Sequence, residues 1–381
     1  MDFAWSDEQA HMRESITKFA KGELNEGYAE REKRGEFNYE AWKKCAEMGI
    51  QGLPVPEQHG GMAMDALTTM GVLESLGYGC MDNGLVFSIN AHMWTLEIPL
   101  LHFGTEAQKD RYLPALCRGE FIGANAMSEP GSGSDAYSLT TTAEKRGDRY
   151  VLNGSKVFVT NGPIANLFIV YATVDRSKGP NGVSAFLVEK GAAGLSYGAH
   201  TQKMGLRTSP MCELFFENCE VPEGNRLGRE GAGKNLFTDS MTWERSCILA
   251  GAVGTMQRIL ETCIGYASER RQFDQSIGKF QLIASKIVDM KIRLETSRAL
   301  LYRAGWLKSK GKSIFLEAAI AKLHISESWV QTALDAIQIH GGYGYMAEYE
   351  IERELRDAIS SKLYSGTSEI QRLIIAPLLG L

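Results

Sequence analysis

The chain has 381 residues, 44% of them hydrophobic and 23% charged, with a formal net charge of -5. That length exceeds one ordinary core and fits two or three subdomains, and nothing in the slightly acidic balance suggests a nucleic-acid partner, which usually needs a basic face. Seven scattered cysteines without CxxC spacing argue against a zinc site or a disulfide framework and fit reduced thiols in a cytoplasmic setting.

The N-terminal residues lack an apolar run and mix acids with bases, so neither a signal nor a transit peptide is expected. No apolar run approaches the ~18 residues of a transmembrane span, so no membrane partner is expected. The spacing of Met12, Ile16, Phe19 and Ala20 predicts a first helix, capped by Ser6 or Asp7. Further helices are predicted near 38–48, 63–78, 83–101 and 105–118, punctuated by Gly52-Leu53-Pro54 and Gly60-Gly61. These make an N-terminal helical domain, 1–118.

From about residue 121 short runs of Val, Ile, Phe and Thr alternate with turn residues. Arg149-Tyr150-Val151-Leu152 and Lys156-Val157-Phe158-Val159-Thr160 flank Asn153-Gly154, a strong hairpin signal. More strands fit 167–173, 183–188 and 212–217, giving a middle antiparallel β-barrel or sandwich, 119–229. After Gly228, Gly231 and Gly233, periodic stretches near 234–267, 275–309, 313–341 and 349–362 predict a C-terminal four-helix bundle, 230–381. Helices, then strands, then helices is an α+β order.

No GxGxxG follows a strand and opens a helix, so a Rossmann site is unsupported. A different Gly-rich segment, Met127-Ser128-Glu129-Pro130-Gly131-Ser132-Gly133-Ser134-Asp135, joins the helical block to the first strands. Its small residues let backbone N–H groups approach a bound polar or anionic ring. From spacing alone the preferred reading is a plain Gly/Ser loop joining two domains.

That segment resembles the flavin-lining loop of acyl-CoA dehydrogenases. Four further segments resemble that family's motifs in the same order: Lys156-Val157-Phe158-Val159-Thr160-Asn161-Gly162; Arg270-Arg271-Gln272-Phe273 with Phe280-Gln281; Gln338-Ile339-His340-Gly341-Gly342-Tyr343-Gly344; and Tyr364-Ser365-Gly366-Thr367-Ser368-Glu369-Ile370-Gln371-Arg372. The resemblance covers the whole chain. It implies noncovalent FAD, with Met127, Ser128, Gly133 and Ser134 on the flavin ring and Ser134 also on the thioester arm. Phe158, where the family usually has Trp, would pack on the ring, and Thr160 would bond near its reactive nitrogen. Arg270, Gln272, Phe273, Gln281, Gln338, Gly341 and Gly342 would complete the dinucleotide of a neighbouring subunit in a homotetramer. Thr367 and Glu369 of the C-terminal signature would also serve the cofactor.

The implied reaction takes a proton from the carbon next to the thioester carbonyl, which requires a carboxylate within hydrogen-bond reach. Many relatives carry that Glu directly after the Tyr of the C-terminal signature. Ser365 stands there, and a serine of ordinary acidity is no base for a carbon acid. Isovaleryl-type relatives place the base before an Arg on the first long C-terminal helix. Met241-Thr242-Trp243-Glu244-Arg245 matches that pattern, so Glu244 is the expected base, with Arg245 and Tyr364 beside the substrate. Trp94 and Trp243 read either as walls of a compact acyl pocket or as core.

The Glu244/Ser365 arrangement also resembles enzymes that oxidise prolyl groups tethered to carrier proteins in natural-product pathways. A prolyl thioester on a carrier protein is therefore the favoured substrate. A short branched-chain acyl-CoA, and a flavoprotein with lost or different catalysis such as nitroalkane oxidation, are the alternatives. The electron acceptor is either a flavoprotein or oxygen.

Overall fold

The computed structural model describes residues 4–381; the first three, at the start of the expected N-terminal domain, lie outside the described residues. Seven helices open the chain: α1 (Asp7–Glu23), α2 (Tyr28–Arg34), α3 (Tyr39–Glu47), α4 (Ala66–Gly79), α5 (Asn83–His92), α6 (Ile98–Phe103) and α7 (Glu106–Cys117). Ser6 caps α1 in a reciprocal box with Gln9, which settles the choice between Ser6 and Asp7. The expected helix over 83–101 is continuous, but a π-helical turn, Met93–Glu97, joins α5 to α6. Such turns shift the side-chain register inside a helix and recur at functional sites.

The middle block is one eight-stranded sheet: β1 (Gly123–Ala126), β2 (Thr142–Arg146), β3 (Arg149–Thr160), β4 (Leu167–Thr173), β5 (Val183–Glu189), β6 (Leu195–Tyr197), β7 (Met211–Pro222) and β8 (Arg226–Leu227). The order is β6-β7-β3-β2-β4-β5-β8, with β1 on β4. The β1–β4 ladder is parallel, as is the single Thr142–Thr173 bridge, so the sheet is not purely antiparallel. Every residue of β4 is buried. Leu167, Ile169 and Tyr171 face one apolar cluster, and Phe168, Val170 and Ala172 the other. A strand covered on both faces reads as a continuous apolar run.

Asn153-Gly154 makes no hairpin. It lies inside β3 at a register shift against β7. Gly154 has φ +147°, and a Cβ there would come within 2.7 Å of the Thr141 Cα, so the glycine serves a bulge and a close approach. The chain reverses at Gly147-Asp148, where Arg146 faces Arg149.

The C-terminal block holds α8 (Gly233–Cys247), α9 (Ala250–Glu269), a small hairpin of β9 (Arg271–Gln272) and β10 (Gln275–Ser276), then α10 (Gln281–Ser309), α11 (Phe315–His340), α12 (Ile351–Ser360) and α13 (Ser368–Leu378). The single helix expected over 234–267 is two, broken after Cys247. At the break the Ser246 hydroxyl donates to the Trp243 carbonyl and competes with the helical ladder. The expected start of α10 at 275 is displaced to Gln281 by the hairpin. Gly233–Glu269 is long and apolar enough to cross a membrane by composition, contrary to expectation, yet 72% of its most apolar window is buried. It packs against α4, α10 and α11 as core.

Candidate active site

Glu244 lies in the last turn of α8 with only 6% of its surface exposed. Its Oε1 accepts a 2.6 Å hydrogen bond from the Ser365 hydroxyl, and its buried Oε2 has no protein partner. Burial raises its pKa above the usual carboxylate range, opposed by the Ser365 bond and by the charges of Arg245 and Lys322. A buried carboxylate with one free oxygen is equipped to take a proton from a neighbouring group.

The loop between α12 and α13 is pinned beside it. Arg245 Nε and Gln371 Nε2 each donate to the Ser365 carbonyl at 3.0 Å. Lys322 Nζ and Gln371 Nε2 donate to the Gly366 carbonyl at 2.7 and 2.9 Å. The Tyr364 ring packs on Phe87, 4.7 Å between centroids. Sequence reasoning denied Ser365 the role of base but gave it no other. Its contact with Glu244 bridges 121 positions and leaves no local pattern to read.

Trp94, set by the π-helical turn, stacks on Trp243 at 5.7 Å with the rings 6° from parallel. Trp94 is fully buried, and its indole N–H donates to Asn90 Oδ1 at 2.7 Å. Lys308 Nζ sits 3.8 Å from the Trp243 ring centre. The two indoles are thus a packed block between α5–α6 and α8. Beside it, Lys234, Thr238, Thr242, Lys308 and Lys312 line a cleft of about 470 Å³.

A second group of expected residues meets on the sheet. The Ser128 carbonyl accepts from the Val157 N–H at 2.9 Å, which sets Met127 and Ser128 beside Lys156 and Phe158 of β3. Lys156 Nζ, fully buried, donates to the Met127 carbonyl and to Glu129 Oε1 at 3.0 and 2.8 Å. Glu129 also accepts from the backbone of Thr140 and Thr141. Burial opposes its ionisation, but Lys156 and these donors prevail and hold it at about 2. Burial lowers Lys156 to about 8, so both groups are charged at pH 7.

Phe158 is 70% exposed on a backbone with φ +57°, at a register shift of β3. Such an outlier persists only where the surroundings over-determine it. Thr160 follows, half-buried. Gly133 and Ser134 are exposed, with open space around the Gly131 and Gly133 Cα atoms. Tyr137 of the same loop reaches the Thr238 hydroxyl of α8 at 3.3 Å, linking the two groups.

A third group lies in the bundle. Arg270, Gln272, Phe273, Gly341 and Gly342 line a cleft of about 610 Å³. Phe273 is 88% exposed at the tip of the β9–β10 hairpin, where it and Asp274 both have positive φ. Arg270 lies over the Tyr343 ring at 5.5 Å, and among the described residues no carboxylate pairs with it. No hydrogen bond, ion pair or ring contact joins this cleft to the Phe158 face among the described residues. Gln281 and Gln338 stand exposed beside its lining residues Phe280 and Ile339. The Thr367 side chain caps α13 by accepting from the Ile370 N–H, and Glu369 is exposed in the first turn of that helix.

Comparison with known proteins places the chain in a family. Models of the acyl-CoA dehydrogenase N-terminal, middle and C-terminal domains match residues 6–120, 124–219 and 231–379. The chain is 44% identical over 381 residues, 100% of this chain and 99% of the relative, to the L-prolyl-[peptidyl-carrier protein] dehydrogenase of Serratia sp. (strain ATCC 39006). It matches the crystal structure of the prolyl acyl carrier protein oxidase AnaB with a TM-score of 0.98 and 54% identity over 99% of this chain and 100% of that one. The structure of PigA with FAD and proline matches with a TM-score of 0.98 and 44% identity over the full length of both chains. With three consecutive domain models, full-length similarity and a buried glutamate on the first helix of the bundle, the chain belongs to the acyl-CoA dehydrogenase family.

Proposed function

We propose that this chain is an FAD-dependent enzyme that oxidises the bond between the α and β carbons of an acyl thioester, with Glu244 as base and a prolyl group on a carrier protein as favoured substrate. The observation that carries this reading is the free, buried Oε2 of Glu244 opposite a serine, not a second carboxylate, at position 365. The likeness to two prolyl carrier-protein enzymes supports the substrate.

The residues fit a flavin dinucleotide. An exposed aromatic on a strained strand and an open glycine loop suit a flat ring, and an unpaired guanidinium beside two open glycines suits a diphosphate. Bound FAD supplies a two-electron acceptor for the hydride equivalent leaving the β carbon. Glu244 Oε2 takes the α proton. Met127, Ser128, Gly133, Ser134, Phe158 and Thr160 orient the ring, and Ser134, Arg245 and Tyr364 border the thioester. The Trp94–Trp243 block limits the acyl group to a compact one. The lysine-lined cleft beside α8 suits the phosphate of a pantetheine arm, which a carrier protein and CoA share.

Arg270, Gln272, Phe273, Gln281, Gln338, Gly341 and Gly342 serve the dinucleotide of a second copy, within a homotetramer. Exposed Leu282, Val288 and Ile292 on α10 give that assembly an apolar face. Seven free, buried cysteines suit a reducing cytoplasm.

Anaerobic mixing of the FAD-loaded enzyme with L-prolyl carrier protein or with a short branched acyl-CoA tests the substrate. Flavin reduction is expected to be faster with the prolyl thioester. Faster reduction by the acyl-CoA would overturn that choice, and no reduction by either would leave a flavoprotein without this chemistry. Reoxidation by oxygen or by an electron-transferring flavoprotein then identifies the acceptor.

Arg270→Ala is expected to weaken FAD binding about tenfold or more, the worth of a charged hydrogen bond, while the melting temperature of the FAD-free protein stays put. FAD titration by flavin fluorescence checks this. Unchanged affinity would remove Arg270 from the cofactor site.

A further inference from the structure

The turn at 365–366 is folded against the preference of one of its residues. Ser365 has φ +56° and Gly366 φ +88°. For glycine this conformation is ordinary, but a serine is held there only when its neighbours fix the backbone. Arg245, Gln371 and Lys322 do so, through four hydrogen bonds to the two carbonyls. A glycine would relax the turn without loss of any of these bonds. What it would lack is the hydroxyl, whose contact is with Glu244 Oε1 at 2.6 Å.

We infer that Ser365 is a positioning residue for the base: its hydroxyl anchors Oε1 of Glu244 and leaves Oε2 as the one oxygen free to take the substrate proton. The role rests on Glu244 being the base. It goes beyond the absence of a glutamate at 365, because it gives the residue in that place a task. The hydroxyl also counters the burial that disfavours ionised Glu244. The other groups facing this carboxylate are Arg245 on the same helix, Lys322 on α11, Tyr364 in the turn and Tyr171 on β4. Burial pushes both phenols up, so they stay neutral and offer no charge. Arg245 and Lys322 act through space, their hydrogen bonds going to the turn's carbonyls, so Ser365 supplies the direct bond.

Difference infrared spectra of the holoenzyme, each variant against the same variant carrying Glu244→Gln, read the protonation of Glu244 across pH. In Ser365→Ala and Ser365→Gly its midpoint is expected to rise by about one pH unit, the worth of a hydrogen bond to a charged group. Glu244 must be ionised to act, so the acid limb of flavin reduction by L-prolyl carrier protein moves up by the same amount. The two variants separate this role from a structural one. Glycine relaxes the left-handed backbone and is expected to raise Tm relative to alanine, so a structural effect would follow Tm, whereas the midpoint shift is common to both. An unmoved midpoint in both variants overturns the inference even if Glu244 is the base. Flavin reduction surviving Glu244→Gln in the wild-type background overturns the base assignment, and this role with it, whatever the midpoint does.

Discussion

Flavin reduction by substrate is expected to fall by about 10⁴-fold in Glu244→Gln, the upper end of what general-base catalysis contributes, while the protein stays folded and yellow. Glutamine keeps the length of the side chain, and its carbonyl oxygen still accepts from the Ser365 hydroxyl, so the turn at 364–366 keeps its register. Removing a buried negative charge lowers the cost of burial at that position. What disappears is proton affinity at Oε2, which has no protein partner to substitute for it. Binding of a nonreactive prolyl thioester analogue is expected to persist. Single-turnover anaerobic reduction checks the loss, and a rate within tenfold of wild type would place the base elsewhere. Because the Ser365 hydroxyl touches Glu244, a carboxylate introduced by Ser365→Glu into the Glu244→Gln protein faces the same space. Partial recovery of flavin reduction is expected in that double variant.

The helical blocks are legible in the sequence because their apolar residues recur at three and four and their caps are local, as Ser6 with Gln9 shows. The strand β4 is legible because burial on both faces leaves an unbroken apolar run. Asn153-Gly154 misleads because a glycine needed for a bulge and one needed for a turn look alike in one dimension. The hairpin tip at Phe273-Asp274 is equally hidden. An exposed phenylalanine at positive φ follows no turn preference, and sequence reveals it only through a family motif. The candidate site divides in the same way. Glu244 is one of many helix glutamates until the motif singles it out, and only the fold shows it buried with one oxygen free. Ser365, Gln371 and Lys322 come together from separate elements, and no periodicity encodes such a meeting.

Lys156→Met is expected to cost about 3–5 kcal/mol of stability at pH 7, the usual penalty for removing one partner of a buried ion pair. Neither charge reaches solvent, with side-chain exposures of 0% for Lys156 and 2% for Glu129. In the wild type, Glu129 is held at about 2, below its ordinary value, so its contribution is present above the unfolded pKa and is lost as pH falls toward 2. Without Lys156 the sign reverses. Burial is then the largest influence on Glu129 and moves its folded pKa up, so protonation relieves the strain and the deficit shrinks as pH falls. Urea denaturation at pH 7 and at about pH 5 is expected to show that narrowing. Glu129→Gln/Lys156→Met leaves no buried charge; its amide oxygen keeps one of the two backbone N–H bonds, which in the wild type go to separate carboxylate oxygens, and it is expected to be more stable than Lys156→Met alone. FAD affinity separates packing from positioning, because Lys156 also holds the Met127 carbonyl. The double variant regains stability but not that bond, and its flavin site is expected to stay weakened. A double variant with wild-type FAD affinity would show that the pair stabilises the fold without shaping the cofactor loop.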